Sequence, residues 1–154
     1  MCLIAYVVHC MLMDVRYHPL FEQWLTELAS TDEEIFGEVM ALLTALEDYG
    51  RDLDDEAQEE SHPVVTSRYD MHALRRTPPS AAAPYATRPP VLRVLYAYCK
   101  NNDGHDVAIV LLGGDKTTLA NHWYPPNVAE AGHRLEQYCR RDAQFIPIIK
   151  RGNR

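Results

Sequence analysis

VAIVLLGGDKTTLANHWY, residues 107–124, joins an apolar run to a short polar segment and then to an aromatic pair. Val107, Ile109, Val110, Leu111 and Leu112 form a β-branched and aliphatic stretch of buried-strand length. Gly113-Gly114 reads as the turn that ends it. Asp115, Lys116, Thr117 and Thr118 follow at once, which holds a charged group at the rim of a sheet. Taken alone, GGDK is also the composition of an ordinary solvated turn with an Asp-Lys pair. A phosphate-cradling P-loop is excluded. That loop needs a glycine immediately before its lysine and another five residues earlier, and those positions are Asp115 and Val110.

Working outward, VLRVLYAYC (91–99) predicts the partner strand, with KNNDGHD (100–106) as the turn of an antiparallel hairpin. Period-two alternation puts Val91, Arg93, Leu95 and Ala97 on one face and Leu92, Val94, Tyr96 and Tyr98 on the other. An arginine on so apolar a strand is unusual. HPVVTSRYDMHALRR (62–76) has strand character and ends in Arg75-Arg76. TPPSAAAPYATRPP (77–90) holds five prolines in fourteen residues, so it reads as a long loop rather than a regular element. RDLDDEAQEES (51–61) reads as a solvated acidic connector.

Toward the N-terminus, MDVRYHP (13–19) predicts a first strand closed by Pro19. Leu20, Phe21, Trp24, Leu25 and Leu28 recur at helical spacing. Ser30-Thr31-Asp32-Glu33-Glu34 is a helix-start signal, Ile35 to Leu46 supply a second apolar face, and Gly50 is the expected stop. The simplest arrangement is two antiparallel helices. Beyond Pro125-Pro126, Val128, Ala131, Leu135 and Tyr138 predict a last helix packed on the sheet, with Trp123 as an anchor. The tail FIPIIKRGNR (145–154) reads as loosely ordered.

With 154 residues, 47% of them hydrophobic, the chain is one domain with a core of ordinary size. Residues 1–12 read as an N-terminal extension without a signal-peptide pattern or the length to span a bilayer, 13–142 as the domain, and 143–154 as the tail. Cys2, Cys10, Cys99 and Cys139 show no C-x-x-C pair and no zinc spacing, so neither a disulfide framework nor a metal is expected, and a reducing cytoplasm fits. Cys99 and Cys139 read as small core residues. The net charge of −7 hides an asymmetry. Residues 1–66 carry 2 Lys/Arg against 15 Asp/Glu, and residues 67–154 carry 13 against 7. The total argues against indiscriminate nucleic-acid binding, while the basic second half leaves room for one phosphate-binding face.

The order strand, two helices, antiparallel sheet, closing helix, together with M-H-A-L-R, R-V-L-Y-A-Y, L-L-G-G-D-K-T and W-Y, resembles the RelE/HigB-like toxins of bacterial type II toxin-antitoxin systems, in particular their phage-derived Gp49-like branch. The resemblance covers roughly residues 13 to 140. It implies an α+β fold with two N-terminal antiparallel helices packed on a small, mainly antiparallel sheet and a C-terminal helix. It also implies a cytoplasmic, metal-independent mRNA endoribonuclease without cofactor that acts in the ribosome, inhibits translation and is held by a helix-turn-helix antitoxin in a hetero-oligomer. Such cleavage needs a base for the 2′-OH proton, cations for the charge on phosphorus and an acid for the leaving oxygen. Arg93 and Lys116 match the family's strand arginine and its lysine, as phosphate-binding and catalytic groups. Arg75, with Arg76 beside it, adds phosphate-binding charge, and His122 and Tyr124 are the acid-base candidates. Asn121-His122 stands where relatives commonly carry a basic residue before W-Y. The alternative reading is a catalytically weak scaffold that binds an antitoxin-like regulator or RNA.

Overall fold

A computed structural model describes residues 12–54, 60–75 and 91–150. The described residues form an α+β fold in the element order β1 (Asp14–Tyr17), α1 (Pro19–Thr31), α2 (Glu33–Tyr49), a 3₁₀ turn (Gly50–Asp54), β2 (Ser61–Pro63), β3 (Met71–Arg75), β4 (Leu92–Lys100), β5 (Asp106–Asp115), a second 3₁₀ turn (Ala120–Trp123), α3 (Tyr124–Arg141) and β6 (Ile146–Pro147). The sheet is mixed. Its order is β1-β5-β4-β3-β2 with β6 on β4, and β1 runs parallel to β5 while the other pairs are antiparallel.

The β4–β5 hairpin lies at the centre and is apolar on both faces, as the sequence of each strand requires. Leu95, Ala97, Ile109 and Leu111 pack with Ala131 and Leu135 of α3 and with Trp123. Val94, Tyr96, Tyr98, Ala108 and Val110 pack with Phe21 of α1 and Val39, Leu42, Leu43 and Leu46 of α2. The expected helix arrangement is therefore realised differently. The first two helices share one face, α3 closes the other, and the sheet is the middle of three layers. Asp32 ends α1 and caps α2, accepting from the Ile35 N–H at 3.2 Å. Gly50 ends α2 at φ 53°, with Met13 3.3 Å from where a Cβ would stand.

Four local expectations are corrected. Gly113-Gly114 does not end β5, which continues to Asp115 with Gly113 opposite Val94 and Gly114 opposite Arg93. The glycines serve close packing instead: a Cβ on Gly113 would lie 2.5 Å from the Trp24 ring, and one on Gly114 3.1 Å from the Trp123 ring. The strand expected to end at Arg75 is β3, and a separate short strand that was not expected, β2, precedes it. The start of the acidic connector is not solvated loop, since Leu53 in the first 3₁₀ turn is fully buried. The tail is tied down through residue 150: Phe145 is buried, the Ile148 N–H donates to the Tyr98 carbonyl at 3.2 Å, and the Lys150 ammonium donates to the Val64 carbonyl at 2.7 Å. Residues 1–11, Arg76, the Pro-rich segment 77–90 and residues 151–154 lie outside the described residues.

Candidate functional site

Strand pairing brings the cations together. Arg93 faces Gly114 across the hairpin and Arg75 across β3. Alternation puts Arg93 on the α3 face with Leu95 and Ala97, and it is only 8% exposed. Its Nε donates to the Tyr124 hydroxyl at 2.9 Å and its Nη1 to the Leu92 carbonyl at 2.7 Å. Lys116 follows β5 directly. Its backbone N–H donates to the Val91 carbonyl at 2.9 Å, and its ammonium stands 5.3 Å from the centre of the Tyr124 ring.

Tyr124 is held by a chain of contacts that starts at a glycine. Gly114 leaves space for the Trp123 indole, and that ring meets Tyr124 edge-on, 5.3 Å between centroids at 86°. The phenol is thereby set between Arg93 and Lys116. Trp123 is buried and anchors the sheet, as expected from the sequence. The chain reaches it through Ala120, whose φ of 48° lies in the left-handed region, a conformation costing a non-glycine residue about 1 kcal/mol.

The charges of Arg93 and Lys116 meet no carboxylate among the described residues. Desolvation first, then the charges of Arg93 and Arg75, lower the Lys116 pKa below its ordinary 10.5. Asp115, the nearest acid in sequence, is engaged elsewhere: it accepts from the N–H groups of Val91 at 3.1 Å and Thr117 at 2.9 Å and from the Thr117 hydroxyl. The solvated Asp-Lys pair that GGDK might have formed is absent among these contacts. Nor does the start of α3 present amides to an anion. The Tyr124 N–H donates to the Asn121 carbonyl, and Pro125 and Pro126 have no N–H. An anion at this rim is held by side chains.

The structure thus joins Arg75, Arg93, Lys116 and Tyr124. It does not join His122, which is exposed and whose side chain makes no hydrogen bond, ion pair or ring contact with them. Arg76 lies outside the described residues. No group of three or more His, Cys, Asp and Glu arranged to hold a metal occurs among the described residues. No helix among them is long and apolar enough to cross a membrane.

A second charged cluster, missed in the sequence, occupies the opposite face. His72 is 5% exposed, with Nε2 2.8 Å from Asp70 Oδ1 and Nδ1 2.7 Å from Asp54 Oδ2. Its ring stacks on Tyr96 and meets Tyr98 edge-on. Burial opposes the charge on His72, but hydrogen bonds and attraction from Asp54 and Asp70 outweigh it and raise the pKa above 6.5. Arg51 bridges Asp70 and Asp106 at 2.9 and 2.6 Å and lies 3.9 Å over the Tyr98 ring, while Lys100 pairs with Asp106. One signal was available: in MHALR, alternation puts His72 opposite Met71 and Ala73, among the tyrosines of RVLYAY.

In comparison with known proteins, the chain matches no family model, no curated protein and no solved structure.

Proposed function

We propose that this protein is a toxin of the RelE/HigB type with a RelE-like fold, a cytoplasmic, ribosome-dependent mRNA endoribonuclease that inhibits translation and is restrained by a helix-turn-helix antitoxin. One observation carries the reading. Arg93 is buried on an apolar strand directly opposite another arginine and beside Lys116, with no described carboxylate to neutralise it. A buried guanidinium beside a second cation is costly without a counter-charge, so the pairing of Arg93 with Lys116 is accounted for by an anion that these two groups bind. Phosphate has the charge and the oxygens to engage both of them.

In this reading Arg93 and Lys116 hold the scissile phosphate. They stabilise the extra negative charge that develops when the 2′-oxygen, its proton passing to solvent water, bonds to phosphorus and the bond to the 5′-oxygen breaks. Tyr124 accepts from Arg93 Nε and therefore keeps its own O–H proton to donate to a phosphate oxygen or to the leaving oxygen. Arg75 adds charge from the neighbouring strand. No metal or cofactor is invoked in these steps.

Induction without antitoxin is expected to arrest growth, and Lys116→Ala or Arg93→Ala to relieve the arrest while leaving the far-UV spectrum and melting transition intact. Full toxicity of both variants would overturn the assignment. His122, which is exposed and makes no hydrogen bond, ion pair or ring contact with the cluster, favours a second reading in which the scaffold binds RNA or a regulator with little cleavage. Wild-type protein that binds its antitoxin yet causes neither arrest nor mRNA cleavage would decide for that reading.

A further inference from the structure

Tyr124 has two sides. One meets Arg93 and Lys116, and the other walls a groove of about 660 Å³ between α3 and the loop entering β3. We infer that this groove is a nucleobase subsite, receiving the base of the nucleotide whose phosphate sits on the cationic rim. The inference rests on the phosphate-binding reading given above.

The groove has the dimensions and chemistry of a base slot. Its volume falls in the range of sites for small ligands and exceeds what a free phosphate requires. One wall is an apolar strip of α3, Pro125, Val128 and Gly132, spaced three and four residues apart so that they fall on one side of the helix. Gly132 keeps the strip flat. A Cβ there would rest in ordinary contact, 3.7 Å from the Tyr69 ring, so any side chain at this position takes up space that the glycine leaves to the groove. Flat apolar walls accept any base by its faces.

Polar groups at the ends supply what a base edge needs. Asn121, beside Tyr124, presents an exposed carboxamide with no side-chain hydrogen bond to a described residue, and it carries both a donor and an acceptor. At the other end Tyr69 Oη donates to Glu136 Oε1 at 2.6 Å, and Arg68 donates to both, at 2.6 and 3.2 Å. The occupant is a nucleotide of single-stranded RNA, because the rim adjoining the slot is cationic and the bases of paired RNA are not free to enter.

The test is an NMR titration of the full chain with inorganic phosphate and, separately, with the four ribonucleoside 3′-monophosphates. At least one nucleotide is expected to bind about tenfold or more tightly than phosphate, shifting the amides of Asn121, Ala129 and Gly132. Gly132→Trp and, at the exposed neighbouring position, Ala129→Trp should remove that increment and leave phosphate binding unchanged. Nucleotides that all bind with the affinity of phosphate and shift only residues around Arg93 and Lys116 would overturn the base subsite while sparing the phosphate rim. Binding of neither phosphate nor nucleotide would overturn both.

Discussion

His72 and Arg93 sit on neighbouring strands of one sheet, 5% and 8% exposed, yet they face opposite sides and live in opposite surroundings. His72 is enclosed by two carboxylates, two tyrosine rings and, through Asp70, the guanidinium of Arg51. Arg93 meets a phenol and a carbonyl, and, after desolvation, its charge and that of Arg75 lower the Lys116 pKa. The first cluster is electrostatically closed and acts on stability. In the second, Arg93 and Lys116 have no described carboxylate beside them. Burial of a charge is therefore not informative by itself. The two clusters differ in whether described carboxylates stand against the buried cation, as they do at His72 and do not at Arg93.

The contrast can be broken most directly at His72. His72→Leu leaves Asp54 and Asp70 facing a place without its cation, and about 3 kcal/mol of stability should be lost, read as a lower urea midpoint. A loss below about 1 kcal/mol would remove the structural role. A smaller effect is expected from Gly113→Ala, which drives a methyl into the Trp24 ring and should cost about 2 kcal/mol in the same measurement.

The pH dependence sharpens the comparison further. The raised pKa of His72 means that its contribution is fully present below the unfolded value of 6.5 and is lost as pH rises through the folded value. Asp70 is lowered chiefly by its hydrogen bond to His72, and Asp54 and Asp106 are lowered because their partners outweigh their burial. Their contribution is present above the unfolded value of 3.8 and is lost as pH falls through the folded values. Stability measured by thermal melts should thus peak between about pH 4 and 6.5, and His72→Leu should abolish the decline on the alkaline side. On the cationic side the sign differs. Lys116 is lowered, so folding opposes its charge, and phosphate binding should weaken as pH rises through a value below 10.5.

The smallest expected change is in the stability of Arg93→Met. Replacing an unpaired buried cation by an apolar chain of similar length should alter stability by less than about 1 kcal/mol, or raise it, while phosphate binding falls. A destabilisation as large as that of His72→Leu would make Arg93 a structural residue after all.

Much of the scaffold was legible locally. The hairpin of residues 91–112, its two faces, the capping at Asp32, the stop at Gly50 and the apolar strip of the last helix all follow from periodicity and from residues whose backbone preferences are strong. Arg93 and Lys116 were visible because a charge beside an apolar strand has few places to go. Gly113-Gly114 misled for a physical reason. Two glycines favour a turn in isolation, but here neighbouring indoles need the space that a Cβ would take, and tertiary packing overrode the local preference. The tail was underestimated because its bonds go to Tyr98, Arg68 and Val64, all remote in sequence.

The sequence by itself determined the central hairpin, the three helices and the apolar side of each, since those properties depend on spacing within a few residues. Only the tertiary structure decided that Arg75, Arg93, Lys116 and Tyr124 meet and that His72 finds two carboxylates. Those outcomes depend on strand register and on the seat of Trp123 against Gly114, and both are set by contacts between residues distant in the chain.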